Sequence, residues 1–361
     1  MNARKGSMAL ASVWGEAYRN LIAGVGGSRV LLIVVIVLTA CGVLVPQLAL
    51  LRADARAVAY QRSGAATLIV TAEGRIDGLR CEAFQQLENV TAAGALRERE
   101  GLTLALLPST TVRYFESTPQ FAGVLGASGT GAGLLLSDEV ADAVGWRDGE
   151  TLSLAERGRV PVAGRFAYPD DGRVAGLGYA IVGDAPASSG LFDECWVTVW
   201  PQTPIVESLA GLVVVPGGAG AAAGPTLLQA NATLGARFSA DTERVIWSGA
   251  GIAAALLIAA AVAFHVRGRR LELASARHVG VRPADQYAIT VIEVTVLAGI
   301  AMVIVLPVAV SLIVSAPSIA VPLMWHAVQS AVLALAGAIG GAWVGLAGLR
   351  ERHLFRYFRE R

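Results

Sequence analysis

The amino-acid sequence predicts a membrane protein with four transmembrane α-helices and an α+β extracytoplasmic domain inserted between helices 1 and 2. Two observations lead to this fold class. First, 54% of the 361 residues are hydrophobic and only 16% are charged, whereas a soluble domain carries about 25% charged residues. Second, the apolar residues gather in four long windows, and the charged residues are divided unevenly among the segments that remain.

Four windows are long and apolar enough to cross the hydrocarbon core, which is about 30 Å thick and takes roughly 20 helical residues. They cover residues 30–51, 245–266, 288–314 and 319–349. Each must be helical, because a single span in lipid can satisfy its backbone hydrogen bonds only within itself. Glycine and alanine recur in the second and fourth windows, so we expect these two helices to pack closely on other helices.

Basic residues fix the expected orientation, because cytoplasmic loops of membrane proteins carry an excess of lysine and arginine. Residues 1–29, 267–287 and 350–361 are rich in arginine, whereas the connection 315–318 carries no charge. We therefore expect the N-terminal segment, the loop between spans 2 and 3 and the basic C-terminal tail all to lie on the cytoplasmic side.

The segment 52–244 is then expected to lie outside the cytoplasm. It holds 15 arginines and 22 acidic residues, a net charge of −7, while the rest of the chain carries +8. Nearly 200 residues suffice to bury a core. Alternating and helical hydrophobic patterns predict an α+β domain. The predicted strands cover 67–72, 102–107 and 134–137, and the predicted helices cover 77–90 and 226–236.

The residue inventory argues against catalysis by this chain. None of the four histidines falls within 52–244, so neither a Ser-His-Asp arrangement nor a histidine-bearing zinc site can form there. Lys5 is the only lysine and has no glycine-rich loop before it, which excludes a P-loop. We expect no catalytic residue, no metal and no cofactor in this chain, and its near-neutral charge gives no case for nucleic-acid binding.

Two cysteines, Cys81 and Cys195, lie in the predicted outer domain. Because that compartment is oxidising, a disulfide between them is expected, and the alternative is a pair of buried free thiols. Near Cys195, a predicted strand places Trp196 and Trp200 on one face. That face is interpreted either as part of a hydrophobic core or as an exposed aromatic surface for a partner.

The segment 269–293 between spans 2 and 3 predicts a short amphipathic helix on the cytoplasmic side. The helix is expected to stop at Gly280 and a new one to start near Asp285. Its predicted stripe consists of Leu271, Ala274, Ser275 and His278. Held between two transmembrane helices, this element is suited to pass movement from a cytoplasmic partner to the membrane. The alternative is a basic helix lying on anionic lipid.

Three segments carry motifs that resemble one family, the permease subunits of MacB/FtsX-type (type VII) ABC transporters. The family's loop motif R-R-x-E-I-x-x-x-[RK]-x-[LIV]-G-[AV] is matched by Arg269, Arg270, Glu272, Leu273, Arg277, Val279, Gly280 and Val281. The glutamate that begins the next span corresponds to Glu293. Residues 17–21 match the A-x-R-N-L helix, and residues 133–154 resemble a strand, helix, turn and strand of the outer domain, with Gly149-Glu150 where Gly-Asp is usual.

The resemblance implies a non-catalytic subunit in a bacterial cytoplasmic membrane, paired with a second permease as a homo- or heterodimer. A separate P-loop ATPase would bind ATP and magnesium, and an outer lipoprotein or hydrolase is a further possible partner. By position, the ATPase-coupling residues would be Arg270, Glu272, Leu273, Arg277, His278 and Gly280. The amphipathic N-terminal helix would present Trp14, Arg19, Asn20 and Leu21 to the membrane surface and its neighbours.

Two functions follow as alternatives. The first is a permease that couples ATP hydrolysis by its partner to movement of the outer domain, for export or for transmission of force. The second is an FtsX-like regulator that activates a cell-wall hydrolase and transports nothing. A membrane-anchored enzyme is disfavoured, because the outer domain has neither histidine nor lysine.

Overall fold

A computed structural model describes residues 8–128, 132–156, 158–216, 224–235, 238 and 241–347, excluding the side chains of Val25 and of residues 241–248. The predicted basic tail 350–361 lies outside these residues. The chain divides into two compact units. One, here called the helical unit, contains residues up to 55 and from 239 onward, and the other, the sheet unit, contains Arg56–Phe238.

Six helices are described in the helical unit, and the second of them continues into the sheet unit. They are α1 (Leu10–Ala23), α2 (Ser28–Arg62), α7 (Asp241–Gly268), α8 (Arg270–His278), α9 (Pro283–Ser315) and α10 (Ala320–Ala347). Four of the described helices, α2, α7, α9 and α10, are long and apolar enough to cross a membrane. The prediction of four apolar helices of spanning length is therefore confirmed, as expected of a membrane protein.

Helices α7 and α10 approach each other at three small residues spaced four apart on α10. A Cβ atom added at Gly337 would lie 2.3 Å from the Ala255 carbonyl oxygen, and one added at Gly341 would lie 2.4 Å from that of Ala259. At Gly345 the nearest atom would be the Val266 Cβ, 2.7 Å away. Such close backbone approach is how helices associate in lipid, where the hydrophobic effect gives no net drive. The expected close packing of spans 2 and 4 is confirmed.

The sheet unit contains four short helices and, in the part of the chain that is described, nine strands. The helices are α3 (Gly78–Ala83), α4 (Phe121–Leu125), α5 (Asp138–Val144) and α6 (Ile205–Leu209). The strands are β1 (Thr67–Asp77), β2 (Val90–Leu104), β3 (Leu107–Ser117), β4 (Leu134–Ser137), β5 (Thr151–Leu154), β6 (Gly158–Phe166), β7 (Ala180–Asp184), β8 (Leu191–Val199) and β9 (Thr226–Gln229).

The strand order is β3-β7-β4-β6-β5-β2-β8-β1-β9, and β3 also pairs with β2. Six strands therefore close into a ring, while β8, β1 and β9 extend from β2 as an open sheet. The pairs β3–β7 and β4–β6 are parallel, and the other pairs are antiparallel. Leu104, Leu136 and Ile181 lie in one apolar cluster drawn from the ring strands. Closure leaves these six strands without a free edge.

A disulfide ties the open sheet to helix α3, which packs against it. Cys81 of α3 and Cys195 of β8 are bonded, with an S–S distance of 2.03 Å and a Cα–Cα distance of 5.8 Å. Both cysteines are buried among Val70, Phe192 and other apolar residues. The Asp77 side chain caps α3 by accepting hydrogen bonds from the backbone N–H groups of residues 79 and 80, which fixes where the helix begins.

Of the two interpretations of the aromatic face, the structure supports the hydrophobic core. Trp196 is buried, and its ring meets that of Phe121 edge to face at 5.7 Å. On the opposite face of β8, Cys195, Val197 and Val199 belong to a second buried cluster. The alternative interpretation, an exposed aromatic surface for a partner, therefore does not hold for Trp196.

Two expectations about secondary structure are wrong, and a third, the helix predicted over 77–90, is too long, because α3 covers Gly78–Ala83, a short 3-10 turn follows to Gln86 and β2 begins at Val90. The helix predicted over 226–236 is instead strand β9, whose residues Thr226–Gln229 pair with β1. The strand predicted over 102–107 is interrupted by a turn at Ala105 and Leu106, where β2 ends and β3 begins. In both places strand pairing outweighs the local pattern. The strand, helix and strand predicted within 133–154 are present as β4, α5 and β5.

The seam between α7 and α10 predicts different outcomes for two neighbouring glycines. Gly341→Ala would place a methyl group against the Ala259 carbonyl, so we expect it to lower the free energy of unfolding by about 1–3 kcal/mol. Gly340→Ala is the matched control, because nothing lies within 4 Å of a Cβ there. Reversible unfolding in mixed micelles measures both, and equal effects of the two substitutions would contradict the seam.

The disulfide predicts a large loss of stability on removal of either cysteine. The bonded residues are 114 positions apart, and closing so long a loop stabilises the folded state by about 4–5 kcal/mol on the chain-entropy model. We expect Cys81→Ala to lose most of this free energy of unfolding, and Cys41→Ala, at the free cysteine, to lose little. In denaturant without reductant, alkylation should modify one cysteine per chain; modification of all three would refute the bond.

Candidate functional site

The short helix α8 lies between two long apolar helices and is separated from each by a break. Arg269, just before it, has non-helical backbone angles, and Gly280, just after it, has φ of +106°. A positive φ at this place favours glycine. Helix α9 then begins at Pro283, two residues before the predicted start, with the proline in the first turn, where its missing N–H costs nothing.

A buried ion pair holds the beginning of α8 against α9. The Arg269 guanidinium donates from Nη1 to Glu293 Oε2 at 2.8 Å, and the exposed fractions of the two side chains are only 10% and 7%. The other oxygen of Glu293 accepts a hydrogen bond of 2.6 Å from the Asn20 amide of α1. Both carboxylate oxygens are thus used, and three separate helical segments converge on one acid.

Arg269 also contacts an acid that faces solvent. Its Nε donates to Glu272 Oε2 at 3.2 Å, and the Glu272 side chain is 57% exposed. A single guanidinium therefore joins a buried carboxylate to an exposed one, which its fork of donors permits. The backbone of Gly26 passes close by, since a Cβ at that residue would lie 2.5 Å from Arg269 Cγ. Residue 26 has φ of +64°. Glycine suits this position for two reasons: it has no Cβ to collide with Arg269, and it adopts a positive φ without strain.

A second polar contact holds the other end of α8. Arg277 Nε donates to Gln286 Oε1 at 2.8 Å, and Gln286 Nε2 donates to the Leu273 carbonyl at 2.7 Å. Gln286 is buried at the start of α9, and both ends of its amide are occupied by α8. Because buried amides are costly to leave unpaired, these contacts fix the rotation of α8 about its own axis.

Helix α1 presents two different faces. Val13 and Ala17 are buried, and Leu21 packs on the apolar cluster of the helical unit. The other face carries exposed apolar side chains at four-residue spacing: Leu10, Trp14, Tyr18 and Ile22. Large exposed apolar and aromatic side chains of this kind suit a membrane interface. Arg19, also exposed, pairs with Glu16 one turn earlier.

A cavity of about 370 Å³ lies among α1, α8 and α9. Asn20, Arg269, Glu272 and Glu293 line it together with apolar residues such as Leu273. The polar groups come from helices whose mutual positions are fixed by the contacts above. Within the described residues, no group of three or more histidine, cysteine or acidic side chains is arranged to hold a metal ion.

The structure places the sequence-predicted residues of α8 on different faces. Ala274 is buried, and Leu271 and Leu273 pack on the apolar cluster. Ser275 and His278, which the amphipathic pattern assigned to the same stripe, are exposed. That assignment is wrong, because the contacts of Gln286 turn the helix so that these two side chains face away.

Of the residues predicted to couple α8 to a partner, Glu272, His278 and Gly280 are exposed. Gln286 is the residue that motif comparison missed. It forms, with Thr290 and Glu293, a buried polar stripe at helical spacing on an otherwise apolar helix. Polar residues are rare in membrane spans, so this stripe of polar residues at helical spacing could have been recognised from the sequence.

The sequence matches no protein-family model and no curated protein. Among solved structures, the chain is similar to the periplasmic region of MacB from Actinobacillus actinomycetemcomitans, with 10% identity, a TM-score of 0.32 and coverage of 47% of this chain and 91% of that chain. It also resembles a domain of a putative permease protein from Porphyromonas gingivalis, with 16% identity, a TM-score of 0.32 and coverage of 46% and 88%.

The buried ion pair predicts that Glu293 is far more important for stability than an exposed acid on α1. Glu293→Ala leaves the Arg269 charge buried, so we expect a loss of about 3–5 kcal/mol in the free energy of unfolding. Glu16→Ala removes an exposed pair and should cost less than about 1 kcal/mol. Replacing Arg269 and Glu293 together by methionine should restore part of the loss; a double variant no more stable than Glu293→Ala would contradict the pairing.

Proposed function

We propose that this chain is the permease subunit of a MacB/FtsX-type ABC transporter, coupling ATP hydrolysis by a separate ATPase to movement of the sheet unit. The observation that carries the proposal is the convergence of α1, α8 and α9 on Glu293. A force applied to α8 would reach α9 through the Arg269–Glu293 pair and α1 through Asn20, because these contacts are buried and short. A helix lying loosely on lipid would need none of them.

Several features of the chain support the rest of the proposal. The arginine-rich segments favour cytoplasmic termini in a bacterial cytoplasmic membrane, and the acidic sheet unit favours the outer side. The lack of a P-loop lysine supports a non-catalytic subunit whose partner binds ATP and magnesium. The partners are an ABC ATPase, a second permease and an outer lipoprotein or hydrolase, and no substrate path through the bilayer is proposed.

On α8, Glu272 is the residue that best separates ATPase binding from lipid binding. Its carboxylate is more than half exposed and would repel anionic lipid, whereas a protein partner with a basic group would require it. Arg270, Arg277, His278 and Gly280 are the other proposed coupling positions. Leu273 has a packing role, since it contacts the apolar cluster and its carbonyl accepts from Gln286.

The test is purification of the full chain from its native membrane, followed by mass spectrometry of what is recovered and by ATPase assays. We expect an ABC ATPase with the native chain, and at least about a tenfold lower recovery with Glu272→Arg, since a charge-assisted contact is worth about 1.5–3 kcal/mol. Asp285→Arg, which makes the same change of charge at the start of α9, is the control. Unchanged recovery and unchanged ATPase stimulation with Glu272→Arg would refute the assignment.

The same purification separates the two candidate functions. Recovery of a peptidoglycan hydrolase with the ATPase, and of no exported compound in transport assays, would favour the FtsX-like regulator. Recovery of the ATPase with ATP-dependent export would favour the transporter.

A further inference from the structure

The sheet unit contains a cleft that the coupling function does not use. It has a volume of about 390 Å³, within the range of small-molecule sites. Its apolar surface comes from Leu96, Phe115 and Trp196 on three strands of the sheet, and residues 174–177 form another wall. Most of the cleft is therefore built on strands, whose positions are fixed by pairing.

The charged groups of this cleft do not balance. Four acids line it, Glu73, Glu98, Asp193 and Glu194, against two arginines, Arg97 and Arg113. Arg113 is matched by Glu98, to which it donates two hydrogen bonds of 2.8 Å.

Arg97 is already paired with an acid that does not line the cleft. Its guanidinium pairs with Glu116 at 2.6 Å and lies 4.7 Å from the centre of the Phe192 ring. Three acids of the cleft therefore have no salt bridge to an arginine among the described residues, although the charge of Arg113 also acts on Glu194. Asp193 accepts backbone N–H groups from Gly74 and Glu98, which leaves Glu73 and Glu194 the least compensated.

Glu194 is partly buried in this arrangement. Its Oε2 accepts the indole N–H of Trp196 at 2.7 Å, and this is its one hydrogen bond among the described residues, so Oε1 stays available. Burial raises the pKa of the Glu194 carboxyl, and the neighbouring Asp193 and Glu98 add to the rise, while Trp196 and Arg113 oppose it. A cation in the cleft would favour the ionised form.

We propose that this cleft binds a small organic cation, an ammonium or amidinium group on an apolar body. The cationic group would lie at Glu194 Oε1, with Glu73 and Asp193 contributing attraction from the rim. The apolar body would lie against the small exposed parts of Phe115 and Trp196, and the Arg113 guanidinium, held by Glu98, already lies 5.0 Å from the centre of the Phe115 ring. This assignment is independent of the proposed ATPase coupling, because it rests on the sheet unit alone and is tested without the partner.

The test is isothermal titration of the full chain in nanodiscs with 2-phenylethylammonium and with benzamidinium, after subtraction of titrations into empty nanodiscs. We expect saturable binding of at least one cation. Glu194→Gln should weaken that binding by about 10–100-fold, the worth of a charge-assisted hydrogen bond, while preserving an acceptor for Trp196. Glu73→Gln should weaken it less, since Glu73 is exposed at the rim.

Two controls make the result specific. Asp184→Asn removes another acid of the sheet unit whose pKa burial also raises but which does not line the cleft, so binding should be unchanged. The neutral analogue 2-phenylethanol should bind at least about tenfold more weakly. Three results would overturn the proposal: no saturable binding of either cation, equal affinity in Glu194→Gln, or equal binding of the neutral alcohol.

Discussion

The arrangement of the helical unit depends on one buried ion pair, Arg269–Glu293. Charges buried to this degree are costly unless each is matched and hydrogen-bonded, and here both carboxylate oxygens and two guanidinium nitrogens have partners. The requirement to match Glu293 fixes the start of α8, brings Asn20 of α1 to the same point and leaves room for glycine alone at residue 26. Three helical segments are positioned because one acid must not be left unpaired.

The seam between α7 and α10 works by a different physical principle. Glycine at 337, 341 and 345 lets the two backbones approach to contact, so the attraction comes from van der Waals packing, which needs complementary surfaces rather than charges. The seam holds two spans against each other, while the polar contacts hold α8 at the edge of this core. A proposed movement of α8 would therefore act on α9 and α1, which polar contacts join, more directly than on the α7–α10 pair.

Much of this fold is readable from the sequence, because the deciding interactions are local or periodic. The four spans follow from length and apolar composition, and the α7–α10 seam follows from small residues at four-residue spacing. Which side chains of α8 face inward cannot be predicted in this way, because Gln286 on α9 determines how α8 is turned. Likewise β9 forms because β1, some 155 residues earlier, offers an edge, and the turn at Ala105 and Leu106 lacks the residues that usually mark one.

The choice of arginine at position 269 gives the site a property that lysine would lack. Its Nη1 bonds the buried Glu293 and its Nε bonds the exposed Glu272, so one planar group spans two acids of very different exposure. Under the proposed function, a basic group of a partner that binds Glu272 competes with Arg269 for it. The guanidinium then has Glu293 as its remaining partner, and contact at the exposed surface of α8 alters the charge balance at the buried junction with α9 and α1.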